Sequence, residues 1–110
     1  MAAGIHKFTV QESQNLGLGQ GGVAYMTTGA TYTPPSNTVV VAITFIEDAV
    51  FASGTTVEST KFTTQGTAAT GLGTNAEAFG TDTFPAGVTI YGRFTAIDLA
   101  SGAAMLYIGA

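Results

Sequence analysis

Apolar and polar positions alternate most clearly near the C-terminal end of the chain. In the segment GVTIYGRFTAI (87–97), one face of an extended chain would carry Val88, Ile90, Gly92, Phe94 and Ala96. A period of two residues is that of a β-strand with two different faces. The turn sequence DLASGA follows, and then the apolar run Ala103–Ile108. Together these two runs predict a C-terminal antiparallel hairpin.

A second segment, TVVVAITFI (38–46), is apolar on both faces of an extended chain. Strict alternation would place Val39, Val41, Ile43 and Phe45 on one face, opposite Val40, Ala42, Thr44 and Ile46. Such a strand is typical of the centre of a sheet, where both faces are covered. We therefore expect this segment to be a central strand.

Turn-forming residues separate the apolar segments. The sequence TPPSNT (33–38) and the pair Ser53-Gly54 both favour turns. Residues 65–87 are punctuated by Gly and Pro, and we expect a long loop or two short edge strands there. The pattern predicts an all-β fold, a small antiparallel β-sandwich or barrel with a C-terminal hairpin and a Gly-rich N-terminal arm. Within this single domain, residues 1–35 form an extended arm or edge segment and residues 36–110 the core.

The composition supports an all-β fold and limits the classes of partner. The chain has 110 residues, of which 19 are Thr, 17 Ala and 15 Gly, and only 9% are charged. In soluble proteins about a quarter of the residues are usually charged. Because this chain has far fewer charged residues to cover its surface, we expect it to bury surface against copies of itself or a larger partner. Three basic residues form no cluster for nucleic acid. The longest apolar run is too short for a membrane helix, so neither nucleic acid nor membrane is an expected partner.

The string GLGQGG (17–22) matches the dinucleotide-binding fingerprint G-x-G-x-x-G. In that fingerprint a helix follows the last glycine, and an acidic residue lies about 20 residues further on. Here the residues after Gly22 have the composition of a strand, and no acidic residue occurs between Gly22 and Glu47. The string therefore predicts a Gly-rich connection, and we expect no cofactor.

Other residues with reactive side chains do not form a recognisable catalytic pattern. His6 is the only histidine and lies near the N-terminus. Asn75, Glu77 and Asp82 share one loop but lack the spacing of an EF-hand. We expect no catalytic residues and no metal site, and the protein is interpreted as not an enzyme.

Tyrosine and arginine are the residue types that best suit a protein interface in this chain, because each combines a large contact area with polar groups. Arg93 either makes a contact, as a salt bridge to another subunit or by stacking on an aromatic ring, or pairs with a cross-strand acid on the same face. Asp98 and Glu47 are candidates for that acid. We expect the Gly-rich segment to lie across another protein chain. The predicted interface residues are Leu16, Leu18, Tyr25, Tyr32, Tyr91, Arg93 and Tyr107.

The C-terminal segment TFPAGVTIYGRFTAIDLASGAAMLYIGA (83–110) resembles small virion structural proteins of tailed bacteriophages, particularly those of marine and cyanobacterial phages. The upstream segment ITFIEDAVFASGT (43–55) is similar to the same group, so the resemblance covers residues 39–110. Such proteins serve as capsid decoration (cement) proteins, head fibres or small tail components, commonly as β-rich trimers. The resemblance assigns no functional residue to this chain.

The resemblance implies a capsid decoration protein on the outer capsid surface of the virion. Its expected partners are itself, as a homotrimer, and the major capsid protein. It would stabilise the head through oligomeric contacts. The alternative is a head-fibre or tail-tip component that binds host-surface glycans, through exposed tyrosines and the Asn75–Asp82 loop.

Overall fold

The computed structural model describes residues 21–110, and it shows an all-β domain built from two antiparallel sheets. The strands in this part of the chain are β1 (Gly22–Met26), β2 (Val39–Phe45), β3 (Ala49–Phe51), β4 (Thr56–Val57), β5 (Thr83–Phe84), β6 (Thr89–Ala96), β7 (Leu99–Ser101) and β8 (Ala104–Gly109). A five-stranded sheet has the order β1-β8-β2-β6-β4, and a three-stranded sheet has the order β5-β3-β7. The predicted all-β fold class is confirmed.

Strand β2 is the central strand of the larger sheet, between β8 and β6, as its doubly apolar sequence predicted. All of its residues except Thr44 are buried. A bulge interrupts its pairing with β8. Val40 lies opposite Ile108 and Ala42 lies opposite Tyr107, so β2 advances by two residues where β8 advances by one.

The bulge changes which residues of β2 share a face. Val40, Ile43 and Phe45 pack together in the hydrophobic core, whereas Val41 does not belong to that cluster. The predicted grouping of Val39, Val41, Ile43 and Phe45 on one face is therefore wrong. An extra residue at a bulge reverses the alternation on its far side, and strict periodicity cannot anticipate it.

The two C-terminal apolar segments are both strands, but they do not form the predicted hairpin. Strand β2 lies between β6 and β8 and pairs with both of them. The connecting residues, read from the sequence as a turn, instead supply β7 to the smaller sheet. This crossing lets β2 occupy the centre of the sheet, with a paired strand on each side.

Phenylalanine rings join the two sheets. Phe51 of β3 is 1% exposed, and its ring centroid lies 5.1 Å from that of Phe79 and 5.3 Å from that of Phe84. Phe45 of β2 stacks on Phe84 at 5.1 Å, which connects the larger sheet to the smaller one. Aromatic pairs at such distances add stability beyond the area that they bury.

The described part of the N-terminal segment forms an edge of the domain. Strand β1 pairs with β8, and Tyr32 forms an isolated bridge with Ile97. Gly22, the last residue of the GLGQGG string, has a positive φ of 139° and is the first residue of β1. A strand rather than a helix therefore follows the string. A nucleotide fingerprint requires a helix at that point.

The predicted turns and the weakly patterned segment 65–87 also have counterparts in the structure. The backbone N–H of Thr38 donates to the carbonyl of Pro35 at 3.1 Å, which closes the TPPSNT turn. The segment 65–87 contains a 3-10 turn (Thr70–Leu72) and one short edge strand, β5.

Candidate functional site: the outer face of the larger sheet

The larger sheet has one face in the hydrophobic core and one face directed away from it. Residues such as Met26, Leu106, Ile43 and Ile90 pack in or against the core cluster. Their neighbours along each strand point to the opposite side, because successive side chains alternate. We call this opposite side the outer face. It comprises Val23 and Tyr25 of β1, Met105 and Tyr107 of β8, Ala42 and Thr44 of β2, and Thr89, Tyr91, Arg93 and Thr95 of β6.

Strand register places the apolar outer-face residues in adjoining rows. One row crosses four strands and contains Val23, Tyr107, Ala42 and Tyr91. The next row contains Tyr25, Met105, Thr44 and Thr89. Directly opposed side chains on adjacent strands lie about 5 Å apart. The two rows therefore form one continuous surface.

The rim of this surface projects into solvent, and its centre is recessed. Tyr91 is 77% exposed, Tyr25 is 58% exposed and Val23 is 53% exposed. Ala42 is only 5% exposed and forms the floor of a shallow groove of about 240 Å³, with Tyr91 and Tyr107 among its walls. The arrangement offers aromatic side chains around a small recess, which suits insertion of a side chain from a partner.

One ion pair borders the outer face at strand β4. The guanidinium of Arg93 donates from Nε to Oε1 of Glu58 at 2.6 Å and from Nη2 to Oε2 at 3.0 Å. The sequence left open whether Arg93 contacts another subunit or a cross-strand acid. The structure shows a cross-strand acid, but it is Glu58 rather than Asp98 or Glu47.

The ion pair shifts the protonation of both partners. Hydrogen bonding to Arg93, supported by its positive charge, holds the pKa of Glu58 below its ordinary value. The same hydrogen bond raises the pKa of Arg93. Both side chains remain partly exposed, at 35% for Arg93 and 44% for Glu58, so solvent screens their attraction and the contribution to stability is small. Among the outer-face residues, Arg93 alone is charged, and Glu58 neutralises it.

We expect Arg93→Gln to return the pKa of Glu58 toward its ordinary value, measured by NMR titration of the side-chain carboxyl. Because the folded pKa is lowered, the pair stabilises the fold above the unfolded pKa of Glu58 and loses this effect as pH falls through the folded pKa. The matched variant Lys61→Gln removes a positive charge elsewhere and should leave the titration of Glu58 unchanged. An unchanged pKa in Arg93→Gln would rule out the ion pair in solution.

The structure brings together four of the seven residues that the sequence predicted as interface residues. Tyr25, Tyr91, Arg93 and Tyr107 all lie on the outer face. Tyr32 lies apart from them, partly buried against the core. The remaining two, Leu16 and Leu18, lie outside the described residues, as does His6.

Sequence reasoning missed the apolar outer-face residues Val23, Ala42 and Met105. Val23 could have been found from its spacing of two residues from Tyr25 within one strand. The position of Ala42 depends on the bulge, and that of Met105 on the pairing of β8 between β1 and β2, so neither has a local signal.

The three polar residues considered as metal ligands in the loop before β5 lie at the surface. Asn75, Glu77 and Asp82 are exposed. Within residues 21–110, no three side chains of the types His, Cys, Asp or Glu gather as they would around a metal ion. In the same range, no helix has the length and apolar character needed to cross a membrane.

Comparison with known proteins assigns no identity, since no family model, no curated protein and no solved structure matches this chain.

Proposed function

We propose that this protein is a non-enzymatic structural component of a phage virion, a capsid decoration protein that attaches to the outer head. The observation that carries the proposal is the outer face, which is continuous, exposed and aromatic and has a single neutralised charge. The resemblance of residues 39–110 to small virion proteins of tailed phages supports the choice of assembly.

The chemistry of the outer face favours a protein partner. Tyrosine supplies a large apolar ring with a polar tip, and aromatic residues are enriched at the centres of interfaces. Large exposed apolar patches are rare on monomeric proteins and mark sites of interaction. The strands that carry Tyr25, Tyr91 and Tyr107 are fixed by pairing in one sheet, so little backbone freedom is lost when a partner binds.

The proposed mechanism is mechanical. A homotrimer that contacts the major capsid protein at several points would bind by multivalent attachment, in which each further contact forms at a high effective concentration. Many copies across the joints between capsomers would then oppose rupture of the shell. Such a role requires buried contact area and no chemical step.

The double substitution Tyr25→Glu and Tyr91→Glu should abolish attachment while the domain stays folded. Both side chains are largely exposed in the isolated chain, so two new carboxylates cost little there. In an assembled interface each would be a buried and unpaired charge, which typically costs about 3–5 kcal/mol, or more than 100-fold in affinity. Attachment is measured by co-sedimentation with particles that lack the chain, and folding by thermal denaturation.

The matched control places the same charges on the smaller sheet. Thr83 and Ala100 are exposed, and each lies next to a residue that packs in or against the core, Phe84 and Leu99 respectively. Thr83→Glu together with Ala100→Glu should leave attachment unchanged. If the outer-face variant still co-sediments like the unmodified chain, this face is not the attachment surface.

The alternative function, glycan binding by a head fibre or tail tip, has less support at the site that the sequence indicated. It required the exposed tyrosines and the Asn75–Asp82 loop to converge. Tyr91 shares a recess with one residue of that loop, Phe79, whose ring packs against the core. The groove between Tyr91 and Tyr107 is lined by Thr44 and Thr89 and by no residue of the loop.

A further inference from the structure

A second recess lies away from the outer-face groove, between the turn that follows β3 and the loop that follows β4. Its volume is about 450 Å³, which is within the range of small-molecule sites. Of its eleven lining residues, seven carry a hydroxyl group and none is charged. We call this recess the hydroxyl cleft.

Part of the hydroxyl set builds the walls of the cleft. Thr55 Oγ1 donates to the carbonyl of Asp98 at 3.0 Å and accepts from the backbone N–H of Asp98 at the same distance. Thr64 Oγ1 accepts from the backbone N–H of Thr67 at 3.0 Å. Thr55 and Thr64 are both buried, so their bonds fix the backbone on two sides of the cleft.

Other hydroxyl groups in the cleft are available to a ligand. Ser53, Thr60 and Thr67 are exposed, and within residues 21–110 their side-chain oxygens bond to no other protein group. The backbone near Thr60 is nevertheless held in place, because its carbonyl accepts from the N–H of Gly71 at 2.9 Å. These exposed hydroxyl groups can therefore exchange water for a ligand without movement of the backbone.

The chemistry of the lining defines the class of ligand. A charged ligand would find no opposite charge here, and burying an unpaired charge is costly. A hydroxyl group both donates and accepts, which matches another hydroxyl group. Val57, Phe62 and Ala68 add an apolar surface for the C–H face of a ring. We infer that the hydroxyl cleft binds an uncharged sugar ring, independently of the proposed role in the capsid.

The inference is tested on the isolated full chain by NMR, with glucose, galactose and N-acetylglucosamine as the probes. At least one of these sugars should shift the amide signals of residues 53–68 with millimolar affinity. Thr60→Val and Thr67→Val, which remove a hydroxyl at nearly constant volume, should each weaken binding about fivefold, the usual effect of one hydrogen bond. Thr81→Val, at an exposed position outside the cleft, should leave the affinity unchanged.

Three results would overturn the inference. The first is the absence of shifts in residues 53–68 with all three sugars. The second is shifts confined to the groove between Tyr91 and Tyr107. The third is unchanged affinity in both valine variants when their spectra show that they are folded. None of these results bears on attachment to a phage head, since the experiment contains no particle.

Discussion

Replacing Gly102 with alanine should destabilise the domain far more than the same replacement at Gly87. Both glycines have a φ of +89°, which side chains of L-residues rarely adopt, so each substitution carries about 1–2 kcal/mol of backbone strain. At Gly102 the new Cβ would also collide with the carbonyl oxygen of Asp48 and lie 2.8 Å from the Cα of Ala49. At Gly87 nothing lies within 4 Å. The collision is with backbone next to β3, so we expect a further loss of about 1–3 kcal/mol or more.

The measurement is the free energy of unfolding in denaturant for the two variants and the unmodified chain. Gly87 and Gly102 have the same φ, so the backbone strain should be similar in the two variants. The difference between their free energies of unfolding therefore measures the effect of the close approach between Gly102 and the start of β3. Equal losses at the two positions would show that the chain does not pass as closely as the structure indicates.

Phe51→Ala should cost about 3–5 kcal/mol, the usual range for removal of a buried phenylalanine. Phe51 is 1% exposed, and its ring lies against rings from both sheets. Its ring centroid is 5.8 Å from that of Phe45 and 6.3 Å from that of Phe94. Phe79 and Phe84 are nearer still. Alanine would leave a cavity at the junction of the sheets, where several neighbours cannot all move inward. Domains of this size are stable by about 5–15 kcal/mol in total, so this loss is a large fraction of the free energy of unfolding.

The control for this prediction is Phe62→Ala, which removes the same atoms from a ring that lies outside the core cluster. Phe62 is only partly buried, and we expect a clearly smaller loss of stability. Thermal and denaturant unfolding of both variants gives the comparison. A similar, small loss in both would mean that the phenylalanine cluster does not hold the sheets together.

Local patterns in the sequence predicted the parts of the fold that depend on one strand at a time. Within β6 the alternation correctly separated Ile90 and Phe94 from Tyr91 and Arg93. It also predicted Ile97 on the face of Tyr91, which is wrong, because Ile97 lies beyond the end of β6 and is buried in the core. The apolar character of both faces of β2 correctly predicted its central place. Each of these inferences needs only the period of two residues and the burial of apolar side chains.

The outer face could be predicted only in part, because it depends on pairing between distant segments. Tyr25, Tyr91 and Tyr107 could be chosen by residue type, but their meeting on one face requires β8 to lie between β1 and β2. Likewise, Glu58 reaches Arg93 because β4 pairs with β6, 35 residues away in the chain. Which strands pair depends on how the whole sheet buries its apolar side chains. The sequence of one segment does not indicate its partner strand.

The most direct test of the proposed function is imaging of purified phage particles at subunit resolution. The proposal predicts copies of this chain on the outer head, with Tyr25, Tyr91 and Tyr107 of the outer face covered by a neighbouring chain. The result that would contradict it is a map in which the chain is absent from the outer head, or in which these tyrosines face solvent while another surface makes the contact.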